Sequence, residues 1–180
     1  MTTNTLPPTA DLETVPANDD LSGAPLFRQT PHNVEAEKAL LGAIFANNKA
    51  YENVSDYLKP EHFALLAHGR IFEASSRLIE RGQIADSTTL HNLFLNDESL
   101  SEIGGPTYLN EITALAVSVI NAGEYGRVIH DLFLKRELIN LGSDVVNRAY
   151  NNQLDETASN QIENAEQNLY DLATAGEYEG

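Results

Sequence analysis

From Pro31 onward the apolar residues recur at helical spacing, and no alternating run lasts long enough for a strand. The densest stretch is residues 31–45. Asn33 is placed to cap a helix there, with Glu35 and Glu37 in the first turn, where the helix dipole favours negative charge. At about 100° per residue, Val34, Leu41 and Phe45 share one line, with Leu40 and Ile44 beside them. Ala36, Ala39, Ala43 and Ala46 fill most of the remainder. The polar wedge is narrow: Glu35, Lys38, Gly42 and Lys49. A helix this apolar is expected at the centre of its bundle. Glu37 falls inside the apolar arc, so it is expected to be a buried structural acid that needs a partner. Arg70, His68 and Arg127 are the candidates, and the sequence does not choose among them.

The pattern continues in short helical pieces. A helix is expected from Tyr51 to Leu58, closed by Lys59-Pro60. Another runs from Leu66 to Arg81, with Ile71, Phe72, Leu78 and Ile79 inward and Gly82 as its stop. Asp86 caps a third, whose apolar residues are Leu90, Leu93, Phe94 and Leu95. Gly104-Gly105-Pro106 turns into a helix carrying Tyr108, Leu109 and Ile112. With the first, these five helices predict a compact head over residues 30–118.

Residues 119–174 read differently, as a long antiparallel helical hairpin. In the first arm Tyr125, Leu132, Ile139 and Val146 recur every seven residues, and Asn151-Asn152 breaks it. In the second arm Ala158, Ile162, Ala165, Leu169 and Leu172 alternate spacings of four and three. These two lines are expected to face each other as the hairpin seam, or to serve self-association. The fold class is therefore all-α. Residues 1–29, with Pro7, Pro8, Pro16 and Pro25 and little periodicity, read as a disordered acidic tail.

Charge narrows the function. Against 27 acids stand 11 bases, a formal net charge of −16, and no basic run exists. Proteins that hold nucleic acid neutralise phosphates with Lys and Arg. Direct DNA binding is thus not expected, and a protein partner is. The second arm is the extreme, with seven acids and no base from 155 to 180. The chain has no cysteine, no apolar run near the ~20 residues that span a bilayer, and no secretory signal pattern. A cytoplasmic protein without membrane contact is expected.

Catalytic chemistry finds no foothold. A phosphate-binding loop needs Gly-Lys-Ser or Gly-Lys-Thr, and the sequence has no Gly-Lys pair. The His-Glu-x-x-His zinc pattern is missing, and no glutamate stands three before any of the five histidines. His62 and His68 lie six apart and do not align on one helix face, so His68 is expected to be a structural histidine. No catalytic, cofactor-binding or metal-binding residue is expected.

Several short motifs occur in a fixed order: Glu35-Ala36-Glu37 with Leu41-Gly42; Phe63, then His68 and Ile71-Phe72; Gly82, then Asp86 and Thr89; Ile103-Gly104-Gly105 with Tyr108-Leu109; and Asn121, Tyr125 and Val128-Ile129. As an ordered set over about residues 31–173 they resemble the N-terminal domain of the bacterial replicative DNA helicase, the DnaB family. The chain departs from that family's pattern at Ile84 and Val117, where proline is common, and at Gly126, where alanine is.

The resemblance implies a helical head with a hairpin, six copies of which form a collar above an ATP- and Mg-dependent motor. It implies a dimer and a hexameric collar as self-assemblies, and the C-terminal domain of primase as partner. A helicase loader is a further partner on the same grounds. For primase it points to the head–hairpin junction, through Glu35, Tyr108, Ile139 and Val145. Residues 175–180 would begin a linker to a motor domain not contained in this sequence. The alternatives are a free-standing helical adaptor and, more remotely, an enzyme using Glu37 with histidine partners.

Overall fold

In the computed structural model, which describes residues 28–115, 121–151 and 155–176, the chain is helical and the described residues contain no strand. Helix α1 spans Val34–Ala46, and the Asn33 side chain accepts a hydrogen bond from the Ala36 backbone N–H at 2.9 Å, as its capping position predicts. Leu40, Leu41, Ala43 and Ile44 are fully buried. The helix is enclosed because α2 (Leu66–Glu80), α5 (Thr107–Ala114) and α6 (Ala122–Tyr150) all pack against it. Its predicted place at the centre of the bundle is where it lies.

The end of α1 is tied down by one side chain. Asn48 donates to the carbonyls of Ile44 and Ala85, both at 2.8 Å, and accepts from the Ala85 N–H at 2.9 Å. That amide satisfies a helix end and a loop 37 residues away at once. The short helix expected over 51–58 is displaced. Asn47 instead caps a 3₁₀ turn at Asn48–Asn53, accepting from the Lys49 N–H. The early cap starts the turn sooner, and Pro60 prevents any later continuation.

Helix α2 ends as predicted, with Gly82 at φ 72°. Asp86 caps α3 (Ser87–His91) through a reciprocal pair with Thr89. The chain then tightens into a 3₁₀ turn at Asn92–Phe94 before α4 (Glu98–Ser101). This tightening corrects one expectation: Leu90 and Phe94 are buried, while Leu93 and Leu95 are 60% and 52% exposed. In a three-residue turn Leu93 and Leu95 lie about 120° to either side of Phe94, so with Phe94 on the core both face outward.

Helix α6 is 29 residues long and α7 (Ala158–Gly176) folds back along it. The N-terminal half of α6 belongs to the head, burying Ala122, Gly126, Ile129 and His130. Head and hairpin are thus parts of one compact unit, residues 31–180. A Cβ at Gly126 would lie 2.5 Å from Val54 Cγ1 and from the Tyr57 hydroxyl, which accounts for glycine here. The tail expected over residues 1–29 lies almost wholly outside the described residues; of the linker expected over 175–180, Ala175 and Gly176 still belong to α7 and the rest lies outside them.

At Gly69 a Cβ would meet the Pro60 carbonyl oxygen at 2.5 Å, and backbone cannot swing aside as a side-chain tip can. Gly69→Ala should therefore destabilise the head by about 2 kcal/mol, read as a lower thermal midpoint with unchanged helical signal at low temperature.

Candidate interaction surface

Three helices meet in a buried polar chain. Glu37 on α1 lies 2.6 Å from His68 Nδ1 on α2, and His68 Nε2 lies 2.6 Å from the Tyr108 hydroxyl on α5. His68 is fully buried and Glu37 is 2% exposed. Glu37 also accepts from the backbone N–H of Ala64 at 2.5 Å and of Leu65 at 3.5 Å. With Glu37 ionised, His68 donates through Nδ1 and accepts the Tyr108 proton at Nε2. Burial first, then the carboxylates of Glu111, Glu35 and Glu37, push the Tyr108 phenol up to about 12, so it remains a donor. Both carboxylate oxygens of Glu37 are engaged. The chain is a structural clamp, and of the candidate partners for Glu37 the one that meets it is His68.

This geometry corrects the part expected of Tyr108. Its residue is 5% exposed and its hydroxyl points inward, so it does not present its ring tip to a partner. Glu35 does face solvent, with its side chain 77% exposed beside Lys38. It lines a groove of about 380 Å³ at the head–hairpin junction, with Leu115, Tyr125 and Val128. Lys38 stands 5.9 Å from the Tyr108 ring centre, so Tyr108 supports this surface from beneath.

The junction is held by Arg136 of α6. Its guanidinium donates to the carbonyls of Pro31 at 2.9 Å and His62 at 2.8 Å. Beside it the rings of His62 and His130 lie 4.9 Å apart, with Phe133 4.5 Å from His62. His62 Nδ1 accepts from the Lys59 N–H at 3.0 Å. Burial, and then the neighbouring His130, lower the His62 pKa to about 4. Sequence reasoning passes over Arg136 entirely, because its neighbours are 74 and 105 residues away.

The hairpin seam also differs from the expected one. Leu134 lies near Gly176, and Gln161 donates to the Arg148 carbonyl at 3.0 Å. Arg148 pairs with Glu156 across the break. Between the arms lies a groove of about 480 Å³ lined by Leu141, Asp144, Asp171 and Leu172, among others. Only Leu172 and the half-buried Ala165 of the expected seam face inward. Tyr125 packs on the head core and Leu132 is half-buried. Ile139, Val146, Ile162 and Leu169 are 46%, 52%, 59% and 48% exposed. The reason is rotational: α6 is fixed by its docking on the head, and its heptad line then points away from α7. In this antiparallel register Val145 stands level with Ile162, and Leu138 with Leu169. The outcome is an apolar face on the outside of the hairpin.

The fold is thus a helical head with a two-helix arm whose outer side leaves apolar residues uncovered. The chain belongs to the family of DnaB-like helicase N-terminal domains, whose model matches residues 29–131. The chain is 43% identical over 158 residues to the replicative DNA helicase DnaB of Rickettsia conorii, spanning 88% of this chain and 32% of that one. To the DnaB of Geobacillus stearothermophilus it is 34% identical, over 68% of this chain and 27% of that one. It therefore spans about a third of the length of these relatives.

Its fold matches the crystal structure of the N-terminal domain of DnaB helicase from Mycobacterium tuberculosis, with a TM-score of 0.71 and 28% identity, over 79% of this chain and 99% of that one. A second match, at a TM-score of 0.60 and 25% identity over 78% of this chain and 31% of the other, is to a DnaB-like replicative helicase whose structure addresses its interactions with primase.

Two outcomes follow from the buried chain and the junction. Glu37→Leu should cost about 3 kcal/mol or more, since it strands two backbone N–H groups and His68, whereas Glu37→Gln should cost less. Chemical denaturation of both variants decides it. For His62 the folded pKa near 4 lies below the unfolded value of about 6.5. Stability is then full above pH 6.5 and is lost as pH falls toward 4. His62→Asn, which keeps an acceptor for Lys59, should flatten the melting temperature between pH 7 and about 4.5, read by thermal melts at each pH.

Proposed function

We propose that this domain is the assembly and partner-docking module of an ATP-driven replicative DNA helicase. It would join subunits into a dimer and a hexameric collar and would recruit primase. The observation that carries the reading is the exposed aliphatic flank of the hairpin, Leu138 and Val145 of α6 beside Leu169 and Ile162 of α7, with Ile139 and Val146 exposed on the adjoining side of α6. Exposed aliphatic side chains in register on two helices favour burial against another surface, and a two-fold partner would match the face to itself.

ATP and Mg²⁺ belong to the parent protein in this reading. The residues here do not fit them: the sequence has no Gly-Lys pair, and among the described residues no group of three acids, histidines or cysteines converges on a metal position. In this reading the catalytic machinery belongs to the parent protein and not to this part of it. Among the described residues no helix is long and apolar enough to cross a membrane. In this reading the protein is cytoplasmic and a helicase loader is a further partner.

For primase, the groove beside Glu35 and the flank at Ile139 and Val145 are the proposed contacts, with Tyr108 holding the first helix in place from within. The likeness to a helicase studied with primase supports primase as the partner.

Val145→Asp with Ile162→Asp should turn a self-associating chain into a monomer, measured by sedimentation over a range of concentrations. Unchanged association in the double variant would remove the apolar face as the cause of assembly. Calorimetric titration of the cognate primase C-terminal domain should show Glu35→Lys weakening binding by about 1–2 kcal/mol. Tyr108→Phe, which alters only a buried hydroxyl, should bind like wild type. A large loss with Tyr108→Phe in a folded protein would restore Tyr108 as a direct contact.

A further inference from the structure

A third groove, of about 580 Å³, lies between α2 and the Asn92–Asp97 segment, and it shares no residue with the two grooves above. Arg70, Arg77 and Arg81 line it at spacings of seven and four, which stacks them within about 40° of one another along α2. In a chain of net charge −16, three of the 11 bases stand on this one line. Arg70 reaches Asp97 and Arg77 reaches Glu73, each at 2.6 Å, yet both guanidinium side chains stay more than half exposed, at 52% and 68%. Arg81 has no ion pair among the described residues. Leu66, 71% exposed, and Leu93, 60% exposed, stand uncovered at the groove's mouth. Cations in a row beside uncovered leucines fit an acidic helix that carries an apolar or aromatic side chain.

The chain itself carries such a helix. By helical periodicity Glu163, Glu166 and Tyr170 of α7 point away from α6, opposite the Gln161, Ala165 and Leu172 side that packs on it. Tyr170 is 66% exposed, and Glu163 and Glu166 have no ion pair among the described residues. No base occurs from 155 to 180 to offset these acids.

We propose that the outward face of α7 from a second copy of this chain seats in the α2 groove. Run antiparallel, Glu163 faces Arg81, Glu166 faces Arg77, and the Tyr170 ring, about 10 Å further along, lies level with Ala74 and within reach of the Arg70 guanidinium. The contact joins two different surfaces, so it propagates from copy to copy and closes a ring if the rotation allows. It rests on the self-association reading but uses a separate surface from the apolar hairpin face.

Sedimentation of the full chain at low and high salt, with circular dichroism as the folding control, tests it. Arg77→Glu with Arg81→Glu, and separately Glu163→Arg with Glu166→Arg, should each weaken salt-sensitive association at least tenfold. An equimolar mixture of the two variants should restore it, because each then supplies the surface the other lacks. A wild type that associates while both reversals leave it unchanged, or a mixture no better than its parts, overturns the groove contact and leaves the apolar-face reading standing. Association lost in Val145→Asp with Ile162→Asp but insensitive to both reversals likewise overturns the groove contact. A wild type that stays monomeric at every concentration overturns both.

Discussion

The head depends on one buried carboxylate. Glu37 sits where the helical pattern of α1 calls for an apolar residue, and burying an unpaired charge there would cost more than the packing around it returns. The structure meets that cost with two backbone donors from the Ala64–Leu65 loop and with His68, which Tyr108 completes from the far side. The same bonds fix three helices and a loop in one arrangement. A hydrophobic core of alanine and leucine tolerates small slides between helices, whereas a carboxylate with a histidine at 2.6 Å does not.

How much of this was legible in the sequence follows from the range of the interactions. Several local signals were accurate: Asn33 and Asp86 cap their helices, Gly82 ends α2, and the long helix stops at the break expected at Asn151. Signals that depend on rotation about a helix axis were not. The heptad of Tyr125, Leu132, Ile139 and Val146 is real, but a heptad says that a line of side chains shares a face, not which neighbour it meets. Here the head claims Tyr125, and the rest of the line faces outward. Tyr108 shows the same limit. A turn of two glycines placed it at a helix start, but only the approach of His68, 40 residues earlier, decides that its hydroxyl points inward.

The inversion at the hairpin carries physical meaning. Polar Asp144, Asn168 and Asp171 stand at the inner groove, while Ile139, Val145, Val146, Ile162 and Leu169 stand outside. An arm built for its own stability would place these the other way round. Arg148, bridging to Glu156 and receiving Gln161 at its carbonyl, closes the hairpin at its tip with polar contacts and leaves the aliphatic face available. Such a hairpin is held in shape by its two ends, the head at one and Arg148 at the other, and gains its remaining burial from whatever covers it.

Charge separates the surfaces that geometry leaves alike. An acidic chain repels its own copies, so association needs either apolar area or a local reversal of sign. The hairpin face supplies the first. The row of Arg70, Arg77 and Arg81 supplies the second, and it does so on a helix whose opposite side buries Ile71, Phe72 and the His68 clamp. One face of α2 therefore carries the interaction that fixes the head, and the other carries its main exposed positive charge. A perturbation of that helix would reach both, which couples the integrity of the core to the surface most able to attract an acidic neighbour.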